Sequence, residues 1–212
     1  MNPAAFAPMV LLAAGLVLIP AARAADDPAH HHHHQDQPAA QGKPGAVQVK
    51  YADTTLVNQD GKKIKLKSEV FGNRLVVMDF AYTSCTTVCP VLTAVLVKVQ
   101  AGLGDKAGKD VQLVTMTVDP ARDTPARLKE YAGKHGAKAG WIWLTGPVAV
   151  VNEVLRGFDA YAPNFEDHPA MILVGDPVSG NWTRFYGFSD PKDVLAKVEE
   201  LRAARGASRP AS

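Results

Sequence analysis

The stretch Asp79–Leu92, "DFAYTSCTTVCPVL", lies where one sequence pattern ends and another begins. The run "RLVVMDFAY", Arg74–Tyr82, leads into it. Its near-continuous apolar character and strand length are those of a strand buried on both faces of a sheet. On the far side Val91, Leu92, Val95, Leu96, Val99 and Leu103 recur at helical spacing. A buried strand, a short polar turn and a helix make the first half of a βα unit. Both cysteines of the chain, Cys85 and Cys89, fall at that junction, with Pro90 directly after the second.

The alternation continues downstream. "VQLVTMTVD", from Val111, reads as a second buried strand. "TPARLKEYAGKHG" opens a helix with Thr124 as N-cap and Pro125 in the first turn, stopping around Gly133. "WIWLTG", Trp141–Gly146, is a third strand, and "PVAVVNEVLRGFDAY", from Pro147, another helix. "AMILVGD" and "WTRFYGF" are strands joined through the turn "PVSGN". A last helix is capped by Asp190, starts at Pro191 and repeats Val194, Leu195, Val198 and Leu201. Upstream, "TTLVNQDGKKIKL" sets two apolar runs about Asp60-Gly61, a hairpin signature. Together these predict an α/β sandwich around a central mixed sheet, extended at its N-terminal side by a β-hairpin.

Composition narrows the function. Hydrophobic residues are 47% and charged residues 21% of the 212, as in an ordinary soluble globular domain. Net charge is +2 with no block of one sign, so neither a nucleic-acid stripe nor a polybasic membrane patch is expected. Residues 1–24 read as a signal peptide. Met9–Ile19 is an apolar core, and Ala22-Arg23-Ala24 fits a cleavage site, so export to the periplasm or another extracytoplasmic space is expected. An apolar run of 11 residues, at about 1.5 Å each, does not cross a hydrocarbon core of roughly 30 Å, so no stable membrane span is expected. Residues 25–45 read as a flexible linker carrying His30–His34, either a loose collector of Cu(II), Ni(II) or Zn(II) or simply a solvated spacer. The folded domain is expected over residues 46–205, with a disordered tail from 206.

In an exported protein two nearby cysteines are a structural disulfide, a redox couple or part of a metal site. A helix entrance favours thiolate, because backbone N–H groups and the helix dipole stabilise negative charge there. If the segment is helical, the i, i+4 spacing places both sulfurs on one face, close enough to join or to bracket a metal. Two thiolates suit Cu(I), and an added imidazole admits Cu(II). Outside the linker there are two histidines. His135 reads as a solvated residue at a helix end. His168 stands before the strand "AMILVGD", where topology can bring it to the cysteines. Asp119 and Asp123 read as turn and cap residues, Asp167 as a possible orienting partner of His168, and Tyr82 as core. Met78, Met116 and Met171 all lie within strands.

"FAYTSCTTVCP", "VTMTVDPARDTPARLKEYA" and "DHPAMILVGDP", in that order, resemble the Sco/SenC family of thioredoxin-like copper proteins. The resemblance spans about Val47 to Leu201 and implies a thioredoxin-like fold. It also implies copper as Cu(I) or Cu(II), held by Cys85, Cys89 and His168. Delivery would be to the binuclear copper centre of cytochrome c oxidase, or the same cysteines would act as a thiol-disulfide oxidoreductase. The partner implied is the oxidase copper-centre subunit or another copper or thiol protein, and a monomer is expected. Thr86 stands where most members carry proline after the first cysteine, and Pro169 where a small polar residue is usual. Both departures keep the redox reading open. Thioredoxin-like folds often carry a cis-proline opposite the cysteines, and Pro169 is the candidate here. The pattern of the fold's peroxidase branch is missing before either cysteine.

Overall fold

The structure, a computed structural model, describes residues 43–207. The strands are β1 (Gly45–Val47), β2 (Thr55–Asn58), β3 (Lys63–Lys65), β4 (Leu75–Ala81), β5 (Val111–Thr117), β6 (Trp141–Thr145), β7 (Met171–Asp176) and β8 (Asn181–Tyr186). The helices are α1 (Val88–Leu103), α2 (Pro125–Lys134), α3 (Val148–Gly157) and α4 (Pro191–Ala207). All eight strands join one sheet in the order β1-β8-β7-β4-β5-β6-β2-β3. β4, β5 and β6 are parallel, linked by crossovers through α1 and α2, and the remaining pairings are antiparallel.

Every residue of β4 and β5 is buried, because both faces of the sheet are covered. The period of two divides their side chains between two cores. Leu75 and Val77 join Leu113, Trp143, Ile172 and Val174 under α1, α2 and α4. Val76, Met78 and Phe80 join Val114, Met116 and Leu173 against α3 and a wide helical turn at Leu66–Phe71. α1 with its C-terminal turn, Val88–Lys106, is apolar enough by composition to cross a membrane. Its Leu92, Leu96, Val99 and Leu103 are instead buried in the first core, as in the central helix of a folded domain. Val91, though part of the apolar repeat, is 44% exposed.

The N-terminal extension contains the expected hairpin and one strand more. The β2–β3 hairpin forms and pairs with β6 at one edge of the sheet. β1, starting two residues before Val47, pairs antiparallel with β8 at the other edge. The turn at Leu66–Phe71 carries no sequence warning, since Lys67, Ser68 and Glu69 separate its buried Leu66 from the buried Val70 and Phe71. α4 continues to Ala207, past the predicted start of the tail. The expected signal peptide over residues 1–24, residues 25–42 with His30–His34, and residues 208–212 lie outside the described residues.

Two connections position the chemistry. β4 runs antiparallel beside β7, with Asp79 opposite Ile172. The end of β4, which leads to the cysteines, therefore lies beside the start of β7, which His168 precedes.

Candidate functional site

The turn after β4 is built to hold a sulfur at a helix entrance. Cys85 lies outside the helix rather than on a shared helical face with Cys89, because α1 begins only at Val88. Thr87, at the N-cap position, makes no side-chain capping bond. The Cys85 sulfur takes that role: the Cys89 N–H donates to Cys85 Sγ at 3.3 Å, and the Thr87 N–H also points to it. Both cysteines are buried and free, with no bond between them.

This geometry divides the two thiols. Cys85 is pushed down to about 4, first by a hydrogen bond from the Cys89 side chain and then, against burial, by the Cys89 and Thr87 N–H groups and the Tyr82 hydroxyl. Cys89 is pushed up, first by that same partnership with Cys85 and then by burial. At neutral pH the pair is one thiolate beside one thiol, with the negative charge on Cys85, in the turn that precedes the helix.

His168 is brought to the same end of the sheet but not onto the sulfurs. Its Nδ1 lies 2.7 Å from the Phe165 carbonyl and its Nε2 lies 3.3 Å from the Phe80 carbonyl. Its ring stands edge-on to Tyr82, with centroids 5.8 Å apart. Among the described residues no three His, Cys, Asp or Glu side chains are grouped as a ready metal cage. Pro169 follows a trans peptide bond, as no cis bond occurs among the described residues. His168 itself is extended, φ −62° and ψ 145°, as a residue before proline prefers. Asp167 does not orient it: the Asp167 carboxylate accepts from Asn164 Nδ2 at 3.2 Å. His135 caps α2 and packs its ring on Tyr131.

Three acidic residues have distinct fates. Asp119 is a turn residue as expected, its carbonyl accepting from the N–H groups of Arg122 and Asp123. Asp123 goes beyond turn chemistry. Its buried carboxylate accepts from the Thr83 N–H at 3.2 Å, from Thr83 Oγ1 at 2.5 Å and from Thr117 Oγ1 at 2.6 Å. It thereby ties the cysteine turn to the end of β5. Asp79, inside β4, has no exposure; Oδ1 accepts from Thr115, while Oδ2 has no partner. Burial pushes it up to about 7, and its charge also reaches Cys89. An acid inside an otherwise apolar strand was the available signal for Asp79. No local signal marks the tie from Asp123 to the cysteine turn, since Thr83 lies 40 residues away in sequence.

A mixed sheet between two helical layers, with a thiol pair between a parallel strand and a helix N-terminus, is the thioredoxin-like arrangement. The chain belongs to the SCO1/SenC family, whose pattern it matches over residues 43–203. It is 37% identical over 94 residues to a SCO1 protein homolog of Bacillus subtilis (strain 168), covering 43% of this chain and 47% of that protein. The chain thus spans about half the length of that relative. A structure of BsSco, described as a member of the Sco family of cytochrome c oxidase assembly proteins with a disulfide switch, superposes with a TM-score of 0.61 at 28% identity, covering 74% of this chain and 95% of that one. Bradyrhizobium japonicum ScoI with copper bound superposes with a TM-score of 0.59 at 26% identity, covering 75% and 99%.

Proposed function

We propose that this chain carries copper as cargo for cytochrome c oxidase assembly. Cys85 and Cys89 hold Cu(I) as thiolates, His168 adds a nitrogen that admits Cu(II), and the metal leaves by ligand exchange to a cysteine pair on the oxidase subunit or another copper or thiol protein. The supporting observation is the pair of free, touching thiols with Cys85 already held as thiolate. The donor set fits a soft ion, and the copper-bound relative agrees with it.

The histidine supports the same reading through its hydrogen bonds. A neutral imidazole donates from one nitrogen only. With the shorter contact assigned to Nδ1–H on the Phe165 carbonyl, Nε2 is left as an acceptor facing another acceptor, the Phe80 carbonyl. Nε2 is then the nitrogen available to a metal, and its neighbour fixes the ring as an outer partner of a ligand histidine does. Ligation requires the ring to leave Phe80. The work would be done outside the cytoplasm, after cleavage behind Ala24.

The test is anaerobic loading of reduced, metal-free protein with copper, removal of excess, and measurement of metal per chain. Wild type and a chain lacking His30–His34 should retain copper, and Cys85→Ser should lose it. Loss on deleting the histidine run, with retention in Cys85→Ser, would show the reading to be wrong.

A second reading, thiol-disulfide exchange, is favoured by the same thiolate–thiol division. Cys85 Sγ attacks an acceptor disulfide and forms a mixed disulfide, releasing one acceptor thiolate. Cys89 then gives up its proton and attacks Cys85 Sγ, releasing the second, so the acceptor is reduced by two electrons and the Cys85–Cys89 pair is oxidised. This reading expects metal-free protein to reduce an acceptor disulfide to its dithiol, with little change in His168→Ala.

A further inference from the structure

The turn between β5 and α2 carries two neighbouring side chains that reach different parts of the site. Asp123 holds the cysteine turn through Thr83. Arg122 reaches instead to the loop that carries His168, its guanidinium lying over the Phe165 ring, 5.2 Å from the centroid. Asp119 fixes that aim, its buried carboxylate accepting from Arg122 Nη1 at 2.9 Å. Phe165 opens the short turn Phe165–Asp167 that ends at His168. Its carbonyl lies 2.7 Å from His168 Nδ1 and accepts from the His168 N–H at 3.3 Å. Its ring stands edge-on to Tyr82, with centroids 5.0 Å apart. Whatever fixes Phe165 therefore fixes the imidazole. The pairing with Asp119 serves the β5–α2 turn by itself; placing the same cation over an aromatic ring of another loop ties the two loops together.

We propose that Arg122 is a positioning residue: paired with Asp119 and lying over Phe165, it clamps the loop that presents His168. Because Arg122 and Asp123 are adjacent, the histidine loop and the cysteine turn are held to one short segment. That the clamp serves copper rests on the copper reading above. With Phe165 fixed, the imidazole has only to leave the Phe80 carbonyl to reach a metal. A loop freed from the clamp spreads over more arrangements, few of which bring Nε2 to the sulfurs, and apparent affinity falls with the competent fraction. The loss falls on Cu(II), for which the imidazole is needed, and spares Cu(I), which the two thiolates hold.

The experiment places Arg122→Ala and Phe165→Leu, singly and together, in the full chain. Amide hydrogen exchange of the metal-free proteins is followed at Asp167 and His168, whose N–H groups donate to the Asn164 and Phe165 carbonyls. Cu(II) affinity is measured by chelator competition through the sulfur-to-copper charge-transfer band, which copper on the His30–His34 run does not give. Loss of an exposed cation–π pair predicts exchange about two- to fivefold faster and Cu(II) binding about two- to fivefold weaker in Arg122→Ala, with Cu(I) retention unchanged. In the Phe165→Leu background Arg122→Ala should add nothing. Unchanged exchange, additive effects of the two substitutions, or faster exchange with unaltered Cu(II) affinity would each overturn the positioning role. If His168→Ala binds Cu(II) as wild type does, the copper reading of the histidine fails, and the exchange measurement still decides whether Arg122 holds the loop.

Discussion

Cys85 owes its reactivity to where it sits. An ordinary thiol titrates near 8.5, but the N–H groups of Cys89 and Thr87 and the neighbouring thiol hold this one at about 4. The reduced, metal-free protein should therefore be alkylated by iodoacetamide at a rate already level between pH 6 and 8, where an ordinary cysteine's rate is still climbing. Peptide mapping should place the label on Cys85 before Cys89. Asp79 makes a second prediction at this scale. Its folded state holds a proton up to about 7, against 3.8 for the free group. Protonation thus favours the folded state, and stability falls as pH rises from about 4 to about 7, then levels. The full effect is on the order of 4 kcal/mol. Denaturant melts at pH 5 and pH 8 should show that Asp79→Asn removes this part of the pH dependence. An unaltered slope would mean that Asp79 is not the group responsible. Asp176 works with the opposite sign: burial raises it, but Arg205 and the N–H groups of Val178 and Ser179 outweigh that and hold it near 2, so its contribution is lost only as pH falls below 3.8.

Among the elements, the turn that carries the cysteines depends on a residue distant in sequence. Asp123 accepts three donors from Thr83 and Thr117, so Asp123→Ala leaves buried donors unpaired and should cost about 1–3 kcal/mol for each left unsatisfied. A lowered thermal midpoint together with weakened copper retention is the expected outcome. Full retention in a destabilised protein would confine Asp123 to the scaffold. The elements themselves were legible wherever pattern and punctuation agreed. β4 and β5 stand out as apolar runs of strand length, α1 by its helical spacing, and α2 begins at the predicted Thr124–Pro125 pair, with Thr124 accepting from the Arg127 N–H. The link from Asp123 to Thr83 was not legible, because the two are 40 residues apart and a hydrogen bond over that distance leaves no local trace. Nor could spacing show that the cysteine turn lies outside the helix, since an i, i+4 pair reads the same whether or not its first member has entered it. The wide turn at Leu66–Phe71 was hidden for a related reason: a six-residue segment with three buried positions is too short to display a period.

Across the whole molecule, the N-terminal segment reaches both edges of the sheet, β1 on β8 and the hairpin on β6. Between these contacts it crosses the end of α3, where the Lys50 N–H donates to the Gly157 carbonyl at 2.9 Å. A Cβ on Gly157 would lie 1.8 Å from the Lys50 carbonyl oxygen, a backbone atom. Gly157→Ala should therefore destabilise the domain by about 1–3 kcal/mol or more, as overpacking does. Hydrogen exchange should locate the loosening at Lys50 and in β1. Both the fold and the family resemblance could be read from the sequence, because two motifs follow the ends of the parallel strands β4 and β5 and the third precedes the antiparallel β7, which places all three on one side of the sheet. The site was legible only in part. The sequence named Cys85, Cys89 and His168, whereas Tyr82, Asp79 and the carbonyls that hold the imidazole emerge only once the chain is folded. The central claim, that both sulfurs and the imidazole share one copper ion, is tested most directly by X-ray absorption at the copper edge of the loaded, desalted protein. The account predicts two sulfur scatterers with Cu(I) and an added imidazole with Cu(II), the imidazole being lost in His168→Ala. A copper shell of nitrogen and oxygen alone would contradict it.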